Sequence, residues 1–213
     1  MTGAGSSSVA FEVEDSFGTL PGTPTWKQPF ENINIGSASL DRALRRARQP
    51  DDPRPDGSRP GNREVALSVS GTMTDTNFHD LVFANGGTSL ATTASLAPTA
   101  TWYLESLSPN TSNERWIKGA AVESVAWNYQ QGEDFTVDLT IIGVEGDSSN
   151  YSTPGTIVQP SKSEMITHGG VSFDLNSSQL STKLQSLSLE IAGMARFRRG
   201  QQQEPVDAVL DGF

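Results

Sequence analysis

The chain of 213 residues carries a net charge of −10, 35% apolar residues and no cysteine. Its acidity opposes any general affinity for nucleic-acid phosphates, and the missing thiols exclude disulfides and thiolate metal sites. No run approaches the roughly 20 consecutive apolar residues that span a bilayer, and the start, MTGAGSSSV, has neither the basic nor the apolar segment of a signal peptide.

The length suits a single domain, residues 1–213, with a modest core and generous loops. At the N-terminus Val9, Phe11 and Val13 alternate with Ala10, Glu12 and Glu14, the period of a half-buried strand. The run then breaks into Phe-Gly-Thr and Pro-Gly-Thr-Pro before Trp26, which makes residues 1–32 a stiffened arm and first strand. Phe17, Leu20 and Trp26 are its candidate anchors. Trp26 has two equivalent destinations, a pocket on an adjacent subunit or its own domain's core.

Residues 41–64 concentrate Arg42, Arg45, Arg46, Arg48, Arg54, Arg59 and Arg63 among prolines and glycines. That composition predicts an extended loop with no regular strand across its middle. One reading is a solvated flap. The other is an inter-subunit arm whose guanidinium forks pair with carboxylates on a neighbouring copy.

Val65, Leu67 and Val69 form the next alternating strand, and a helix is expected over 75–85, capped by Asp75 or Thr76 and stopped by Gly86-Gly87. Further on, Val125, Trp127 and Tyr129, then Phe135, Val137, Leu139 and Ile141, alternate on either side of Gly132. Residues 121–142 therefore read as one long β-hairpin. Its wet face is Ser124, Ala126, Asn128, Thr136, Asp138 and Thr140, small and nearly uncharged where an ordinary solvent face carries Lys and Glu. Val171, Phe173 and Leu175 predict another strand, and Leu187, Leu189 and Ile191 one more. The fold class is mainly β: an antiparallel sandwich or barrel with one short flanking helix. Residues 33–50 and 184–205 echo one another in form, which is either a coincidence or a sign that a final strand is clipped after Phe213.

No catalytic constellation is visible. His79 and His168 lack partners at ligand spacing, and no nucleophile elbow or phosphate-binding Gly-Lys motif occurs. The segment 143–155 has turn residues and carboxylates without the EF-hand order. The sequons at Asn110, Asn150 and Asn176 are near chance for so Ser/Thr-rich a chain. No enzyme, metal or cofactor is expected.

The arm from Glu12 to Thr19, the Arg-rich loop after the first core strands, the VSGTM strand leading to a helix at Asp75, the hairpin introduced by RWIKGAAVESV and the later strand pair together resemble the major tail tube proteins of long-tailed viruses. The resemblance spans most of the chain. It implies a virion protein that polymerises with itself as stacked hexameric rings, each subunit giving a hairpin to a closed inner barrel through which double-stranded DNA passes. It further implies tape-measure, tail-terminator and distal tail proteins as partners, no membrane, and a passage from host cytoplasm to the virion tail. The hairpin's wet face then either lines the bore, where small neutral and acidic groups let DNA slide, or is merely solvated. The high Asp and Glu content with Lys scarce beside Arg suits a host among salt-loving archaea, and equally a bacterial virus. Two other readings stand beside this one. A monomeric β-sandwich could bind a glycan on Trp102, Tyr103, Trp116 and Trp127. A tail terminator or head decoration protein would share the assembly logic.

Overall fold

Alternating residues commit one face of each strand to apolar contact, and the chain satisfies this by curling a single antiparallel sheet into a half-barrel. The computed structural model describes residues 7–35, 39–40, 43–46, 55–59, 64–73, 78–82, 96–108, 111–146, 150–160, 174–176, 178–179, 185–199 and 205–210. Strand β1 (Ser7–Val13) pairs with β7 (Ala100–Ser108), β7 with β8 (Thr111–Gln130), and β8 with β9 (Thr136–Glu145). The sheet continues through β6 (Glu64–Thr72) to β2 (Glu31–Ile35) and the short β3 (Ser39–Leu40).

Strand β8 is long enough to serve two neighbours on one edge. Its first half takes β7, and its second half takes β12 (Ser186–Ala192). Two irregularities in its pairing with β9, between Lys118 and Ala121 and between Val122 and Ser124, shift the phase of alternation. They let Ile117, Ala120, Val122 and Val125 all reach the main core despite their uneven spacing.

That core fills the concave side. Phe11, Phe30, Leu67, Trp102, Ile117, Leu139 and Ile141 are among its buried members. Helix α1 (His79–Val82) closes it with Leu81 and Val82, and Phe78, just before the helix, meets Phe30 at 5.2 Å between ring centroids. Burial of each such side chain contributes about 1.5–3 kcal/mol. The expected caps and stop of the helix, at Asp75, Thr76 and Gly86-Gly87, lie outside the described residues.

Two smaller clusters cover part of the other side. Trp26, Tyr103 and Trp116 pack with Leu20, Tyr151 and Ile157. Beside them, the ribbon of β13 (Ala195–Arg199) and β14 (Pro205–Leu210) brings Ala195 and Ala208 against Ala97 and Ala121, with Phe17 and Phe197 at the edge. Two more two-stranded pieces complete the described chain. One is β4 (Ala43–Arg46) with β5 (Pro55–Arg59), and the other is β10 (Asp174–Leu175) with β11 (Ser178–Gln179).

Candidate functional site

The hairpin residues singled out by composition fall together on one surface, and the register extends that surface beyond the hairpin. Ser124 lies opposite Thr140, Ala126 opposite Asp138, and Asn128 opposite Thr136. On the β6 side the same rows continue to Ser68, Ser70 and Thr72, the last of them buried. On the β12 side they continue to Ala192, Glu190 and Ser188. Four strands thus build three parallel rows on the face opposite the main core. The twelve positions hold serine, threonine, alanine and asparagine with two carboxylates, and no lysine or arginine.

Cross-strand hydrogen bonds order this face. Ser188 Oγ donates to Asn128 Oδ1 at 2.7 Å, and Asn128 Nδ2 donates to Asp138 Oδ2 at 2.7 Å. With Asp138 and Glu190 as their only charges, these positions make the face weakly anionic. The turn that returns β8 to β9 depends on Gly132, whose φ of 88° favours a residue without Cβ. Beyond it, β12 is an edge strand with Leu187 and Leu189 exposed, the latter at 53%. Among the described residues its outer edge has no strand beside it, an arrangement that ordinarily invites pairing.

From Ser7 onward the arm lies back on its own domain. After β1 it turns at Ser16–Thr19 and runs back along its own domain, where Phe11 and Lys27 exchange backbone hydrogen bonds of 2.9 and 3.0 Å. Val158 then pairs with Trp26 and Gln28 at 2.9 Å each. Trp26 is buried against Trp116, ring centroids 5.5 Å apart, and Leu20 packs on the same cluster. Phe17 meets Phe197 edge-on at 6.0 Å. All three candidate anchors therefore rest on their own chain, the own-core destination open for Trp26.

What holds the arm down is a residue the sequence did not single out. Glu14 is buried, and its carboxylate accepts four hydrogen bonds: from Gly18 N at 2.7 Å, Thr99 Oγ1 at 2.7 Å, Thr101 Oγ1 at 2.7 Å and Gly119 N at 2.8 Å. It looked like the wet position of an alternating strand. Its neighbour Glu12 has a buried Oε2 with no hydrogen-bond donor among the described residues. Burial raises the Glu12 carboxyl above its ordinary value, against the lowering by the Thr25 backbone and Lys27, and Asp15 adds to the rise. Nearby, burial holds the Tyr103 phenol well above its usual range, reinforced by Glu105 and Glu114.

Of the Arg-rich segment, Arg45 and Arg46 lie on β4 and Arg59 on β5. Its two ends thus pair as a ribbon, with Arg46 opposite Pro55 at the start of β5, where a missing N–H is tolerated. Arg42, Arg48, Arg54 and Arg63 lie outside the described residues, as do His168 and Asn110. The glycan platform is overturned. Trp102, Tyr103 and Trp116 are at most 1% exposed and divide between two cores, while Trp127 packs against the main one. Among the described residues no group of His, Cys, Asp and Glu could hold a metal ion, and no helix is long and apolar enough to cross a membrane.

A curled antiparallel sheet with its main core on one side, rows of small polar side chains on part of the other and an exposed edge strand defines a mainly β protein. The family described as phage tail tube protein matches residues 5–212, and the chain belongs to that family. It is a structural family of the virion tail and not one of enzymes. The search of curated proteins returned no match.

Proposed function

We propose that the chain polymerises as hexameric rings that stack into the hollow tail tube of a long-tailed virus, and that the three polar rows face the bore. The single observation that carries this reading is the in-register continuity of those rows over β12, β8, β9 and β6 without one cationic side chain. Double-stranded DNA binds proteins chiefly through Lys and Arg at its phosphates, so such a wall conducts DNA without holding it. The edges that flank this part of the sheet, β12 on one side and, beyond β6, β2 with β3 on the other, supply the seams for closing a ring. Closure removes the exposed edges and covers Leu187 and Leu189. Tape-measure, tail-terminator and distal tail proteins are the partners at the tube's core and ends. Assembly takes place in the host cytoplasm before the tube joins the virion.

Electron microscopy of concentrated protein over a range of salt tests the reading. Rings or tubes with a central bore are expected. A chain that stays monomeric at every salt and concentration rejects it.

A further inference from the structure

An edge strand presents a row of unpaired backbone groups, and this sheet treats its edges differently. The edge at β12 has no strand beside it among the described residues. The edge at β1 is covered twice. Lys27 of the arm bridges Phe11, and Val158 then bridges Lys27 in parallel. The hydrogen bonds run outward in steps. Lys27 N donates to Phe11 O at 3.0 Å, Gln28 N to Val158 O at 2.9 Å, and Val158 N to Trp26 O at 2.9 Å.

The strip narrows as it goes out. Strand β1 meets β7 along its whole length, whereas beyond β1 the pairing is reduced to isolated bridges. At the centre of the outermost piece, residues 150–160, the N–H and C=O of Val158 both point inward. Pro154 and Pro160 flank that centre and have no N–H to offer a further strand. The side chain of Val158 is 47% exposed, so its backbone, and not core packing, is what the bridge uses. Neighbouring side chains pin the piece down. Tyr151 stacks on Trp116 with ring centroids 5.0 Å apart, Thr153 Oγ1 donates to Glu114 at 2.9 Å, and Ile157 packs on the Trp26 cluster.

We propose that residues 150–160 are an edge guard: they clamp the arm onto β1 and deny that edge to strands of other copies. The strand kept out is β12 of a second copy, whose own edge is open and whose Leu187 and Leu189 are exposed. Short, proline-bracketed outer strips are a recurrent way of blunting a sheet edge, and this one leaves the β12 edge as the reactive one. The guard serves the chain whether or not its copies form rings, because irregular pairing through β1 would compete with any ordered assembly.

Loosening the guard on the full chain tests this. Tyr151→Ala with Ile157→Asp removes both apolar anchors. Hydrogen exchange read by mass spectrometry follows the arm, while thioflavin T and electron microscopy separate irregular aggregate from annular assemblies. Amides of residues 26–28 are expected to exchange at least about tenfold faster while those of β8 and β9 keep their protection. Thioflavin-positive aggregate should rise at least about tenfold, and adding Leu187→Lys with Leu189→Lys on β12 should bring it down again. The milder Val158→Pro, which removes one N–H and leaves both anchors, should move both readouts the same way, and it decides the matter if the double variant does not fold. An arm that stays protected in folded variants, an arm released without added aggregate, or lysines on β12 that leave the aggregate unchanged would each overturn the guard.

Discussion

The carboxylate of Glu14 accepts a hydrogen bond of 2.8 Å from the amide of Gly119, a residue 105 positions further along the chain. This contact fastens the arm to an irregular point of β8, and the same carboxylate gathers Gly18, Thr99 and Thr101 around it. A glutamine retains one acceptor oxygen but turns its amide protons toward existing donors. With charge-assisted hydrogen bonds contributing about 1.5–3 kcal/mol each, Glu14→Gln is expected to lose about 2–4 kcal/mol, and Glu14→Ala more. Urea unfolding measures it. A glutamine variant within 0.5 kcal/mol of the parent, roughly the scatter of a neutral surface change, shows that the carboxylate is no latch.

Gly119 is committed twice over. Its φ is 56°, and a Cβ there would lie 2.5 Å from Phe17 Cζ. Gly119→Ala therefore combines left-handed strain with overpacking and should cost about 2–4 kcal/mol. Adding Phe17→Ala frees the space but not the dihedral. The two substitutions should therefore couple by at least about 0.5 kcal/mol in a double-mutant cycle read by thermal unfolding. Strict additivity would place Phe17 away from Gly119.

These two residues mark the limit of what the sequence discloses. Alternation identifies the β class and the polar face, because period-two patterns and a pleated strand share one geometry. Ser68, Ser70, Glu190 and Ala192 carried no individual signal, since they join the face only through strand pairing decided by tertiary register. Glu14 was hidden for a related reason: its four donors come from a turn, from β7 with the residue preceding it, and from a bulge in β8. The arm's Pro-Gly punctuation was legible as a stiff segment. Its course back over Trp116 was not, because stiffness does not specify a docking site.

Glu12 sets a pH dependence with a definite sign. Its carboxyl sits above 4.5 in the folded chain because burial penalises the anion. As pH rises, the unfolded chain releases this proton first, so stability present below the ordinary carboxyl value is lost through the folded one. Glu12→Gln should therefore be more stable than the parent at neutral pH, with the difference shrinking as pH falls below about 4, where both states come to hold the proton. Denaturant midpoints at several pH values test it. A constant gap across the range assigns the effect to packing instead of ionisation.

The bore-facing assignment is tested most directly by giving the polar rows the charge they lack. Ala126 lies opposite Asp138, and Thr140 opposite Ser124, so Ala126→Lys with Thr140→Lys puts cations on neighbouring rows of one face. Both positions accept a flexible side chain at the surface, and tubes should still form. If this face meets DNA, each added lysine gains phosphate contacts and releases counterions. Affinity of assembled tubes for short duplexes should then rise at least about tenfold at 50 mM salt and fall steeply by 200 mM. Filter binding with the parent tubes alongside reads this out, and the parent should hold little DNA at either salt. Lysine-bearing tubes that bind no more DNA than the parent would place these rows on a surface DNA never reaches, and the wall of the bore would have to be built from other strands.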